Sequence, residues 1–104
     1  MTMIVERKEV QEALSSGAVI AEVLPRAHYD AGHLPGAIHL PLEGLERFAE
    51  AIPREAPLIV YCASSTCMNS HQAADRLARA GFTNVRVYAG GKADWKAAGL
   101  EVTK

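Results

Sequence analysis

The stretch LIVYCASSTCMNS, residues 58–70, decides the reading of this chain. Leu58, Ile59, Val60 and Tyr61 form an unbroken apolar run of strand length, as a strand covered on both faces requires. The run ends at Cys62, and a polar loop follows at positions 63–69. Ser70 then opens a helical pattern with Ala73, Ala74, Leu77, Ala78 and Phe82 apolar and Gly81 as its stop. Cys62 therefore stands where open α/β sheets bind their ligands, beyond the carboxyl end of a strand.

The same alternation extends outward on both sides. Residues 6–16 carry Val10, Ala13 and Leu14 on one helical face, with Gly17 as the stop. Residues 18–24, AVIAEVL, read as a buried strand, and residues 25–36 as a turn-rich stretch with a helical turn at 28–31. Residues 37–40 are a brief strand ended by Pro41. Residues 42–52 set Leu42, Leu45, Phe48, Ala49 and Ile52 on one buried helical stripe. A strand at 85–88, a turn at Gly90 and Gly91, and a short helix at 93–98 carrying Trp95 complete the pattern. Strands separated by helices require right-handed crossovers, which predicts an α/β fold, a parallel sheet with helices on both faces. The 104 residues suffice for one domain.

Composition narrows the function. The chain is 49% hydrophobic and 22% charged, the balance of an ordinary globular domain. Eleven Lys and Arg oppose twelve Asp and Glu, for a net charge of −1 and no basic stripe, which argues against nucleic acid or an anionic membrane as partner. No apolar run approaches the roughly 20 residues that span a bilayer, and the amino terminus lacks a signal-peptide layout, so a cytosolic location is expected. Cys62 and Cys67 are the only cysteines, too few and too close for a secreted disulfide framework, and they read as reactive thiols. His71 lies four residues beyond Cys67, but no fourth ligand follows at metal-site spacing, so neither metal nor cofactor is expected.

Backbone N–H groups of residues 63–69 turned inward would form an anion nest, and the amino terminus of the next helix would add partial positive charge. Both favour thiolate, so the pKa of Cys62 is expected to fall and its sulfur to act as nucleophile. Ala63, Ser64, Ser65, Thr66, Cys67 and Met68 would then be the cradle for a bound anion, the three hydroxyls serving as donors. The same spacing also fits a buried structural cysteine. Cys67 has two readings as well: a resolving thiol that closes a disulfide on Cys62 with release of sulfide or water, or a small apolar filler.

Four ordered blocks carry a resemblance to a known family. YDAGHLPGAIHLP (residues 29–41) is similar to the Y-x-x-G-H-I-P-G-A signature of rhodanese-like domains, with Leu34 in place of Ile. LIVYC, then SxxAAxxLxxxGF (70–82), then VYAGGxxDW (87–95) follow in the family's order, so the likeness covers residues 18–99. It implies a five-stranded parallel sheet flanked by helices. It also implies a catalytic cysteine after the central strand, here Cys62, that takes up a sulfane sulfur as a persulfide and passes it on. The implied activity is a cofactor-free sulfurtransferase moving sulfur from thiosulfate, polysulfide or a persulfide to a thiol or cyanide, with a protein acceptor also conceivable.

Two departures bear on that expectation. Glu22, Val23 and Leu24 stand where the family usually writes D-V-R, and Arg26 is the nearest substitute for the lost brace. The loop CASSTCMNS is two residues longer than the family's C-x-x-G-x-R-S and contains no cation. Lys92, by family position, and then Arg26 are the candidate cations, and His71 is a candidate proton shuttle or a plain surface residue. The loop's length resembles the C-x5-R loop of phosphatases and arsenate reductases of this fold. Those chemistries need a fixed cation over the oxyanion, and Met68 occupies its place. A catalytically weak binding or sulfur-carrier module is the principal alternative to the enzyme.

Overall fold

The computed structural model describes residues 3–104. Five parallel strands, β1 (Met3–Val5), β2 (Val19–Glu22), β3 (Ile38–His39), β4 (Leu58–Tyr61) and β5 (Val85–Tyr88), form one sheet in the order β1-β5-β4-β2-β3. The helices are α1 (Arg7–Ser16), α2 (Arg26–Ala31), α3 (Leu45–Phe48, tightening into a 3-10 turn at Ala49–Ala51), α4 (Asn69–Arg79) and α5 (Gly91–Ala97). The α/β architecture expected from the alternating pattern is the one observed. Every residue of β4 is buried, as its uninterrupted apolar run requires of a central strand.

The period-two alternation of β4 divides the core in two. Leu58, Val60 and Cys62 point with Ala21 and Val23 into one layer, closed by Leu45, Ala73 and Leu77 of α3 and α4. Ile59 and Tyr61 point with Ile20 into the other, closed by Val10 of α1, Trp95 of α5 and Leu34. Glu22 shares the second face, because it pairs in register with Tyr61. It is 0% exposed. The Tyr61 hydroxyl donates to Glu22 Oε1 at 2.9 Å and accepts from the Leu34 amide at 3.0 Å. Lys92 Nζ donates to Glu22 Oε2 at 3.1 Å and to the carbonyls of His28 and Gly32 at 2.8 and 2.7 Å. Burial pushes the Tyr61 hydroxyl far above the usual phenol range, which keeps it a donor to the carboxylate.

Several details differ from the sequence reading. β1 was not expected: three residues directly abutting a helix give too short a period to register, and only Val5 of the three is buried. α5 begins at Gly91 rather than 93. The amides of Lys92 and Ala93 bond to the carbonyls of Cys62 and Ala63 at 3.0 and 2.8 Å, which draws the double glycine into the first turn. Gly91 has φ +61°, and a Cβ there would collide with the Cys62 carbonyl, so glycine is required for this approach. In α3, Ala49 follows Leu45 by one full turn while Phe48 falls to the edge of the stripe, and Phe48 is 57% exposed rather than buried. Ser70 is not the cap of α4. Met68 holds that position, and Ser70 is buried one residue inside the helix, whereas Ala78 faces outward.

The Glu22–Lys92 pair yields a stability prediction. Lys92→Met strands a buried carboxylate and should cost about 3–5 kcal/mol in urea unfolding. Removing both charges in the double variant Glu22→Gln/Lys92→Met should cost less than Lys92→Met alone, since no lone charge is left buried. A single-variant loss below about 1 kcal/mol would place this pair with ordinary surface ion pairs.

Candidate active site

Cys62 continues β4 by one residue, and its side chain enters the α3/α4 layer, on the opposite face of the sheet from Tyr61. It is 1% exposed. Its thiol donates to the Cys67 carbonyl, with Sγ 3.3 Å from that oxygen, and it lies 3.5 Å from Ser70 Oγ. The loop turns back at this point: the Cys67 amide donates to the Ser64 carbonyl at 3.1 Å. Each of the two thiols biases the other's ionisation.

The charge preference is the reverse of the sequence expectation. Burial, reinforced by the neighbouring Cys67 sulfur, pushes the Cys62 thiol up, although the hydroxyl and amide of Ser70 oppose this. Cys67 is pulled down. Burial would raise it, but the neighbouring Cys62 thiol and the backbone N–H groups of Asn69 and Ala63 favour its charged form and prevail. The loop's N–H groups thus favour charge on Cys67 more than on Cys62. Only the Ser70 amide serves Cys62. Cys62 continues the strand and is fully buried in the apolar layer, whereas Cys67, at the turn, packs against the edge of the same layer and stays partly exposed.

The remaining cradle positions divide. Ala63 contributes its amide to Cys67 and its carbonyl to α5. The hydroxyls of Ser64 and Thr66 bond to each other at 3.0 Å instead of to a sulfur, and Ser65 is exposed. Met68 is 55% exposed and brings no charge to the seventh position. Among the auxiliary candidates, Lys92 belongs to the other face of the sheet, its ammonium committed to Glu22 and two carbonyls, and it supplies the brace that Arg26 was expected to supply. Arg26 instead pairs with Asp30 at 3.0 Å on the surface of α2. His71 is partly exposed in the first turn of α4, with no hydrogen bond from its ring to either cysteine.

Two residues escaped the sequence reading. Ser70 was taken for a helix cap, yet its hydroxyl and amide both address Cys62; its place as the Ser of the family's loop block was the available signal. Arg47 was hidden in a helical stripe. It lines a cleft of about 650 Å³ beyond the ends of β2 and β3, together with Val23, Arg26, Pro41, Leu42, Phe48 and Asn69. Asn69 reaches toward the Val23 carbonyl at 3.5 Å and joins this cleft to the cysteine loop. Arg47 has no salt-bridge partner among the described residues.

The order of thiol ionisation is directly measurable. Limiting iodoacetamide at roughly pH 7 should label Cys67 before Cys62, read by peptide mass mapping. The preference should widen as pH falls below the free-thiol value of about 8.5, where only the depressed group stays ionised, and shrink above it as Cys62 ionises. Earlier labelling of Cys62 would return the charge to that sulfur.

With this geometry established, comparison with known proteins is informative. Residues 6–98 match the Rhodanese family, described as a rhodanese-like domain. The chain is 33% identical over 100 residues to the HTH-type transcriptional regulator Rv0324 of Mycobacterium tuberculosis, covering 94% of this chain but only 43% of that protein. It is 34% identical over 79 residues to the thiosulfate sulfurtransferase GlpE of Coxiella burnetii (strain RSA 331 / Henzerling II), covering 76% of this chain and 72% of that one. Among solved structures, the Alr3790 protein of Anabaena superposes with a TM-score of 0.86 at 30% identity, over 95% of this chain and 90% of that chain. The human single-domain sulfurtransferase TSTD1 does so with a TM-score of 0.82 at 26% identity, over 93% and 97%. Its sequence, its sheet and its strand-end cysteine thus agree: the chain belongs to the rhodanese-like domain family.

Proposed function

We propose that residues 1–104 form one rhodanese-like domain acting as a sulfurtransferase in a reducing compartment such as the cytosol, with Cys62 as the sulfur-carrying nucleophile. The observation that carries this reading is a strand-end cysteine, Cys62, whose sulfur lies 3.3 Å from the backbone carbonyl of a second cysteine on the same loop. On this reading Cys67, the more readily ionised of the two thiols, is the acceptor for the proton of Cys62. Transfer of that proton to Cys67 exposes a Cys62 thiolate, for which Ser70 offers a hydroxyl and an amide donor. The thiolate attacks the outer sulfur of a donor such as thiosulfate, polysulfide or a persulfide and displaces the remainder. An external thiol or cyanide, or a protein thiol, then takes the outer sulfur from the Cys62 persulfide.

The cation absent from the loop is supplied nearby, on this reading, by Arg26 and Arg47 in the adjoining cleft. Guanidinium groups bind oxyanions through paired N–H donors. An apolar lining of Val23, Leu42 and Phe48 beneath them suits a thiol with an apolar body and an anionic end. The burial of Cys62 favours one alternative, a slow sulfur carrier that docks on a partner and shows little turnover with small acceptors.

Incubation with thiosulfate or polysulfide, followed by intact mass under non-reducing conditions, tests the reading. Sulfur should load in a manner abolished by Cys62→Ser, and a Cys67→Ser protein should gain about 32 Da at Cys62. Arg26→Ala/Arg47→Ala should raise KM for thiosulfate severalfold with little change in kcat, as loss of uniform binding does. Sulfur uptake that survives Cys62→Ser would overturn the assignment. A Cys62 adduct that forms but does not turn over with cyanide or small thiols would select the carrier.

A further inference from the structure

The second thiol is more than a base. We propose that Cys67 attacks the sulfur-loaded Cys62 from within the loop, so that the domain reduces sulfane sulfur to free sulfide and is left with a Cys62–Cys67 disulfide. The inference rests on the sulfurtransferase reading and adds an outcome to it. Its geometric basis is the closed turn of the loop: the Cys62 sulfur is 3.3 Å from the backbone of Cys67, and the Cys67 amide is tied to the Ser64 carbonyl. The Cys62 sulfur thus already lies against the Cys67 backbone, an approach that a disulfide between the two would need. The Cys67 sulfur is also the more readily ionised of the two, its charged form favoured by the N–H groups of Asn69 and Ala63. It is partly exposed, so a small thiol can reach the disulfide that results.

The steps balance. With its proton on Cys67, the Cys62 thiolate attacks thiosulfate, the S–S bond of the donor breaks, and sulfite leaves. Cys67 returns the proton to the outer sulfur, giving Cys62–S–SH beside a Cys67 thiolate. That thiolate attacks the inner sulfur at Cys62, the Cys62–Cys67 bond forms, and HS⁻ departs with the bonding pair. The sulfane sulfur is reduced by two electrons, and the two cysteine thiols are oxidised by two. Two equivalents of a low-molecular-weight thiol then reduce the loop disulfide through a mixed disulfide and leave as their own disulfide.

A persulfide held here thus has two fates, and their ratio follows the thiol supply. An external nucleophile that reaches the outer sulfur first receives it. Without one, Cys67 competes intramolecularly, and the sulfur leaves as sulfide.

A stoichiometric experiment separates the two layers of the argument. Reduced protein, freed of external thiol, is treated with one equivalent of thiosulfate, then assayed for free sulfide and by non-reducing intact mass. Wild type should release up to one sulfide per chain, lose about 2 Da and lose both titratable thiols. Cys67→Ser, which also lacks the proposed proton acceptor, should load more slowly but retain the outer sulfur on Cys62 and release no sulfide. Wild type that keeps a stable persulfide and both cysteines unlinked would overturn the inference while leaving the sulfurtransferase reading intact. Failure of both proteins to lose sulfite from thiosulfate would overturn both. Should Cys67→Ser fold poorly, the wild-type mass change alone decides between disulfide and persulfide.

Discussion

Glu22 carries a carboxylate that no solvent reaches, and the carboxyl edge of the sheet is organised around keeping it satisfied. Burying an unpaired carboxylate is prohibitive, so its neighbours are constrained: Lys92 must come down from α5, Tyr61 must present its hydroxyl, and the chain near Gly32 and His28 must turn its carbonyls inward to complete the ammonium's shell. Lys92 is also the residue whose amide bonds to the Cys62 carbonyl. One side chain therefore connects the α2 region, the buried carboxylate and the start of the cysteine loop. The loop's backbone origin is fixed by an ionic network that its sulfur never touches.

That separation follows from the alternation of β4. Tyr61 and Cys62 are consecutive and so face opposite layers, one ionic and one apolar. The apolar layer raises the cost of charge on Cys62, while the loop eases charge on Cys67. The result is a pair of thiols with opposed ionisation preferences, the buried one harder to charge than the one on the loop. A cation in the loop would stabilise a bound oxyanion. It would also pin the negative charge and lessen the basicity of Cys67. A cation-free loop is thus consistent with chemistry whose charge stays on sulfur, and poorly suited to phosphoryl transfer, where the equatorial oxygens need a fixed guanidinium.

The fold was legible because each central element carries a strong local pattern. The apolar run of Leu58–Tyr61 and the 3.6-residue spacing of Ala73, Ala74 and Leu77 admit few other readings. β1 was not legible, since a three-residue edge strand offers neither run nor period and is defined by its pairing with β5. At the site, the expected fall in the Cys62 pKa is reversed, because residue types and spacing do not say how deeply a strand-end thiol is buried. Lys92 was misjudged for a related reason: family position placed it near the loop, while the parity of β2 and β4 places the partner it needs on the other face. Counting from Tyr61 to Cys62 would have separated them, since Glu22 pairs with the former.

The same parity explains how the loop can diverge while the scaffold holds. The Glu22 network secures the strand ends and α5 from one side, so the only loop requirements it imposes are the carbonyl positions of Cys62 and Ala63 and the absence of a Cβ at Gly91. Residues 64–68 are free of that constraint, being tied mainly through Cys67 to Ser64 and through Ser64 to Thr66. Extra length inserted there costs little loop-closure entropy, roughly 0.6 kcal/mol even for a doubling of loop length. What the turn provides is a second cysteine whose backbone carbonyl lies 3.3 Å from the first sulfur.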